Sequence, residues 1–120
     1  MKLPADEIFH EVCADVIIRF KGHDAYKGRS GALRAFRKRA PGYDLPVYES
    51  AFDSCCDIYD LAVIAIELFP AAREKKSKYA EFEDIDYARC MQHIECVFPG
   101  DGESIKTQIL NWVIFWHYLK

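Results

Sequence analysis

The chain has no apolar run long enough to cross a bilayer. Its longest, "LAVIAIELF" and "NWVIFWHYL", fall far short of the roughly 20 residues a transmembrane helix requires. Alternation of apolar and polar residues at period two is almost absent, which argues against half-buried strands. Internal repeats and low-complexity tracts are missing, so nothing in the composition divides the chain. A glycine-rich phosphate loop is missing too: "KGRSG" lacks both the length and the preceding strand of a P-loop. The opening residues, "MKLPADEIFHEVCADV", carry acids where a signal peptide has an unbroken apolar core. A cytoplasmic protein without a secretion signal is therefore expected. Cysteine is present five times, at Cys13, Cys55, Cys56, Cys90 and Cys96. The odd number and the expected compartment make reduced thiols the expectation.

What the chain does have is apolar mass and helical periodicity. Its 120 residues are 51% hydrophobic and 14% aromatic, enough to bury a core in one domain spanning residues 1–120 and too apolar for disorder. The spacing predicts five helices. Helix one runs from about Ala5 to Phe20, with Phe9, Cys13, Val16 and Phe20 on one face, widened by Ile8, Val12 and Ile17. "KGHDAYKGRSG" follows as a loop, then a short helix two from Ser30 to Ala40 anchored by Leu33 and Phe36. Pro41-Gly42 stops it.

Helix three is expected from Leu45 to Phe69, with an apolar seam of Phe52, Cys56, Tyr59, Val63 and Ile66. Its second half, apolar almost all round, reads as an enclosed segment. Helix four runs from about Phe82 to Phe98, with Tyr87, Met91, Ile94 and Phe98 inward. Helix five starts near Asp101 or Ser104 and ends at Leu119, with Ile105, Ile109, Trp112, Val113, Trp116 and Leu119 on its main face. The fold class is all-α, a bundle with helices three and five at its centre. Helix five is apolar on every side, so a homodimer through it is a further expectation.

Charge is spread unevenly. Residues 1–42 hold nine Lys/Arg and five Asp/Glu, while residues 43–120 hold seven and fourteen, giving a formal net charge of −3. The segment "RSGALRAFRKRAPGYD" is basic, and helix three carries the acids. Three readings follow. In the first, Glu49, Asp53, Asp57 and Asp60 form an acidic stripe that docks on a basic protein, joined by Glu81, Glu83, Asp84 and Asp86 ahead of helix four. In the second, Lys27, Arg29, Arg34, Arg37, Lys38 and Arg39 contact nucleic-acid phosphates. The third makes the two charge sets each other's counterweight, with Arg34 and Arg37 facing Asp53 or Asp57.

Constellations that could carry chemistry are incomplete. "CMQHIEC" sets Cys90, His93 and Cys96 along one slanted ridge, without the second ligand segment zinc usually takes, and His93 is expected at an exposed position. "EIFH" supplies a single Glu-x-x-His, Glu7 and His10, where a di-iron bundle needs two and further carboxylates. Neighbouring Cys55 and Cys56 point about 100° apart on a helix, a poor geometry for a disulfide. Cys56 is expected on the seam and Cys55 at its flank, both as structural thiols. No cofactor, metal or catalytic set is implied. The reading this supports is a non-enzymatic module that binds another protein through the acidic stripe, in an immunity-type or inhibitor role. Nucleic-acid binding through residues 27–39 is the alternative.

Overall fold

Asp6 sets the start of the first helix. Its backbone is extended and its carboxylate accepts the amides of Ile8 (3.0 Å) and Phe9 (3.3 Å), which occupies donors that a helix start leaves unpaired. The computed structural model describes residues 3–68, 86–100 and 102–119, with side chains up to Trp116. Five helices lie within these residues: α1 (Glu7–His23), α2 (Gly28–Arg39), α3 (Leu45–Leu68), α4 (Tyr87–Val97) and α5 (Glu103–Leu119). Helices α1, α3 and α5 touch one another, α2 packs on α1 and α3, and α4 packs on α3 and α5. The expected all-α bundle is thus what forms, with α1 joining α3 and α5 in the central layer. Among the described residues no helix is long and apolar enough to cross a membrane.

Helix α1 runs three residues past the expected end at Phe20 and stops at Asp24, whose φ of 50° is left-handed. Gly22 explains the extension. It lies inside the helix where α5 approaches, and a Cβ there would come within 3.0 Å of Trp112 Nε1 and 3.3 Å of the Tyr59 hydroxyl. This glycine is a close-contact residue, which is why reading it as a breaker ended α1 too early. Helix α2 begins two residues before the expected Ser30, at Gly28.

The core is aromatic where α1, α2 and α3 meet. Phe9 lies 4.9 Å from Phe36 and 5.7 Å from Tyr48, ring centroid to centroid, and Phe36 meets Tyr48 edge-on at 5.0 Å. Pairs of this geometry add about 0.5–1.5 kcal/mol beyond simple burial. Tyr48 also solves a polar problem. Its hydroxyl donates to the Ala40 carbonyl at 2.5 Å and accepts the Tyr43 amide at 3.3 Å, so the turn after α2 is braced from inside the core.

Several expected core positions differ. Ile8 is 63% exposed, because the buried face of α1 turns toward Phe9, Val12, Cys13, Val16 and Ile17. On α3 the deepest thiol is Cys55, and Cys56 is half-buried. The buried set Tyr48, Phe52, Cys55, Tyr59, Ala62 and Ile66 is rotated from the expected seam, because α3 is gripped on two sides by α1 and α5. The second half of α3 is not enclosed: Val63, Ile64 and Leu68 are exposed while Ala62, Ala65 and Ile66 are covered. Phe69 and the start expected for helix four, residues 82–85, lie outside the described residues, as do the side chains of Tyr118 and Leu119.

Lys106 was not anticipated as a core residue. It is fully buried, and its ammonium donates to Glu95 Oε1 at 2.9 Å, to the Phe98 carbonyl and to the Gly100 carbonyl at 3.4 Å. A lysine of α5 therefore serves the carbonyl end of α4, where a helix leaves its acceptors unpaired.

Candidate binding surfaces

The basic stretch is split by its surroundings. Arg29, at the start of α2, forms a two-pronged pair with Asp53 of α3 (Nε–Oδ1 3.0 Å, Nη2–Oδ2 2.9 Å) and reaches Glu49 at 3.6 Å. At the other end Arg39 donates to Asp15 of α1 at 2.6 Å, and Asp15 also accepts from Arg19 at 2.9 Å. Burial alone would raise the Asp15 carboxyl, but the hydrogen bonds from Arg39 and Arg19 outweigh it and hold it below the usual carboxylate value. Hydrogen bonding to Asp53 likewise holds the Arg29 guanidinium above its ordinary value.

Between these ends, Arg34, Arg37 and Lys38 are exposed and have no ion pair among the described residues. The counterweight between α2 and α3 exists, but Arg29 supplies it and not Arg34 or Arg37. Those two lie in the C-terminal half of α2, share a depression with the turn that leads into α3, and make no ion pair with Asp53 or Asp57. Lys27 is exposed and likewise unpaired among the described residues. Arg34, Arg37 and Lys38 line a shallow depression of about 320 Å³ together with Pro41, Gly42, Tyr43 and Tyr48.

The acidic stripe is partly spent inside the molecule. Asp53 and Glu49 hold Arg29, and Asp60 holds Lys21 at 2.8 Å. Asp57 is exposed and without an ion pair among the described residues. Of the four acids expected ahead of helix four, Glu81, Glu83 and Asp84 lie outside the described residues. Asp86 caps α4 by accepting the Arg89 amide at 3.2 Å.

Helical geometry adds a feature that composition did not isolate. At 100° per residue, Asp53, Asp57, Asp60, Ile64, Glu67 and Leu68 share an arc of about 100°, and each of them is exposed. The stripe is acidic from Asp53 to Asp60 and mixed beyond it, where exposed Ile64 (50%) and Leu68 (56%) stand beside exposed Glu67. Its length from Asp53 to Leu68 is about 22 Å at 1.5 Å per residue.

Three of the five thiols, Cys13, Cys55 and Cys90, are buried. Cys13 and Cys55 face each other across α1 and α3 at 3.5 Å. The contact with Cys55, together with burial, pushes the Cys13 thiol well above its ordinary value. Burial pushes Cys56 up to about 12. Cys90 donates to the Ala65 carbonyl at 3.4 Å while Cys96 is exposed, so the Cys90–His93–Cys96 ridge does not converge. His93 is half-buried, not exposed. Among the described residues no group of three or more His, Cys, Asp or Glu is arranged to hold a metal ion. His10 donates its Nε2 proton to the Pro4 carbonyl at 2.7 Å, which ties the one Glu-x-x-His to the chain's own entry segment.

Sequence reasoning missed the Asp15–Arg39 pair, the Tyr48 brace, the Cys13–Cys55 contact and the buried Lys106. Only Lys106 had a positional signal, since Ile109, Leu110 and Val113 follow it at i+3, i+4 and i+7 on the buried side of α5, but its residue type pointed outward. No family model, curated protein or solved structure matches the chain.

Proposed function

We propose that the chain is a protein-binding module that docks another protein along the exposed strip of α3, in an immunity-type or inhibitor role. The observation that supports this reading is that the acidic stripe continues past Asp60 into two exposed apolar side chains, Ile64 and Leu68, beside Glu67. Asp57, Asp60, Ile64 and Leu68 lie in line and exposed on a single helix. An interface typically combines an apolar centre with a charged rim. Carboxylates at one end of such a strip select a partner with a basic surface and speed its approach. The partner this strip fits is a protein carrying an apolar pocket beside Lys or Arg residues.

The test compares two variants in capture from native lysate with nuclease-treated aliquots alongside. Ile64→Asp combined with Asp57→Lys removes both halves of the strip and is expected to release a nuclease-resistant partner. Arg37→Gln leaves the strip intact and is expected to retain it. A partner that stays bound to the double variant overturns the reading. So does a second copy of the chain as the only partner, seen as a dimer in light scattering that Ile64→Asp converts to monomer.

A further inference from the structure

We infer that the depression between the C-terminal half of α2 and the 41–43 turn is a seat for an oligophosphate anion, a small molecule carrying a pyrophosphate or triphosphate chain. This inference is independent of the α3 strip and stands on a different face. Arg34, Arg37 and Lys38 sit at i, i+3 and i+4, so their side chains neighbour one another on one side of the helix. Like charges at that spacing repel, and no described acid is paired with any of them. The chain does neutralise the cations that flank them, Arg29 through Asp53 and Arg39 through Asp15. The two arginines towards the ends of α2 each have an acid, while the cluster and Lys27 ahead of the helix have none among the described residues.

A bland explanation covers only part of this. Cations in a last turn complement the partial negative charge of a helix C-terminus, which accounts for Arg37 and Lys38. Arg34 lies too far back, five residues before the helix end at Arg39, to be explained by an effect confined to the last turn.

The 41–43 turn beside the cluster is braced by hydrogen bonds. Tyr48 beneath it holds the Ala40 carbonyl and the Tyr43 amide at once, and the Tyr43 hydroxyl is tied to Asp6 at 2.8 Å. Gly42 adopts a φ of +116° that other residues rarely take, with open space on its Cβ side. A pre-shaped turn lowers the ordering cost of binding. The lining residues include no acid. Guanidinium groups match phosphate oxygens in geometry as well as charge.

Size and charge favour a small anion over a nucleic-acid strand. An open depression of about 320 Å³ offers a compact anion three cations at once but is too short to follow a strand. The formal net charge of −3 and the acids of α3 oppose a long polyanion but little disturb a compact one seated among three cations.

The test is calorimetric titration of the full chain at low salt with tripolyphosphate, with ATP, and with a single-stranded 20-mer DNA. Saturable one-to-one binding of tripolyphosphate is expected, weakened about tenfold or more by Arg37→Gln or Arg34→Gln, as loss of one charge-assisted contact implies. Arg29→Gln makes the same charge change on the same helix outside the pocket and is expected to leave affinity unaltered. Amide shifts of Gly42 and Tyr43 on binding would locate the ligand. Tighter binding of ATP than of tripolyphosphate identifies a nucleotide; equal binding identifies the phosphate chain alone, and both support the inference. No saturable binding overturns it. Equal weakening by Arg29→Gln overturns it in favour of diffuse charge. Binding of the DNA alone overturns it in favour of a surface that tracks a nucleic-acid backbone. Circular dichroism of each variant confirms that the fold is retained.

Discussion

Tyr43 donates its phenol hydrogen to Asp6 at 2.8 Å, and so ties the turn after α2 to the cap of α1. The same carboxylate accepts the Ile8 and Phe9 amides through its other oxygen. The Tyr43 hydrogen bond, followed by those from the Phe9 and Ile8 amides, holds the Asp6 carboxyl below its usual value. Tyr43→Phe is expected to raise the Asp6 pKa toward that of an ordinary aspartate, read by carboxyl NMR titration. An unmoved Asp6 would mean that the phenol contact is absent in solution.

Acid should weaken this protein in a defined direction. Asp6 and Asp15 both have folded pKa values below their ordinary 3.8. Their contribution is therefore complete above that value and is lost as pH falls through the lower folded values. Asp15→Asn is expected to cost about 0.2–1 kcal/mol near neutrality, the range for a partly exposed ion pair. The gap to the parent should close as pH falls below the ordinary carboxylate value. Urea unfolding at pH 7 and at pH 3 checks this, and a gap that persists in acid would contradict it.

Lys106→Ala is expected to destabilise the fold by about 2–4 kcal/mol. It opens a cavity and leaves the Phe98 and Gly100 carbonyls without their donor. Glu95→Gln should cost no more than about 1 kcal/mol, because the side chain of Glu95 is 39% exposed and partly screened. Denaturant midpoints for the pair of variants test the ordering.

Thiol accessibility should separate the five cysteines. Cys96 is exposed, Cys56 is half-buried, and Cys13, Cys55 and Cys90 are buried. Ellman's reagent on the native chain is expected to titrate one thiol quickly, and that fast phase should vanish in Cys96→Ser. The Cys56 thiol, pushed up to about 12, should react far more slowly, since the thiolate is the reacting form. All five should react after denaturation.

Gly22→Ala sets two effects against each other. Alanine gains about 1 kcal/mol of helix propensity over glycine. The new methyl, however, meets Trp112 Nε1 at 3.0 Å, and Trp112 is pinned by stacking on Trp116 at 5.6 Å. Overpacking of this kind costs about 1–3 kcal/mol. Net destabilisation with altered tryptophan fluorescence is expected. A more stable variant would show that the indole moves freely.

Helix number and most helix positions were legible because apolar spacing and the Pro-Gly pair after α2 are local signals. Pro41-Gly42 stopped α2 within a residue of its end. What was not legible depends on rotation about helix axes and on contacts between distant segments. One step along α3 separates buried Cys55 from half-buried Cys56, and 100° per residue leaves such neighbours indistinguishable by spacing alone. The same limit hid the open flank at Ile64 and Leu68, where apolar composition suggested enclosure. Charge segregation was visible in the sequence, but which arginine meets which aspartate depends on where α2 crosses α3. Lys106 was hidden by its type, since lysine is almost never fully buried unless paired.

The lysine that reaches from α5 to the end of α4 also bears on how the molecule opens. Helix α4 has 11 residues, shorter than a helix that holds itself together in water. Its carbonyl end is closed by Lys106, and among the described helices its main packing is on α3 and α5. Its amides therefore depend on α5 staying docked, and the two helices should exchange their hydrogens as one cooperative unit. Protection along Tyr87–Val97 becomes a gauge of the docking of the last helix, readable without perturbing either one.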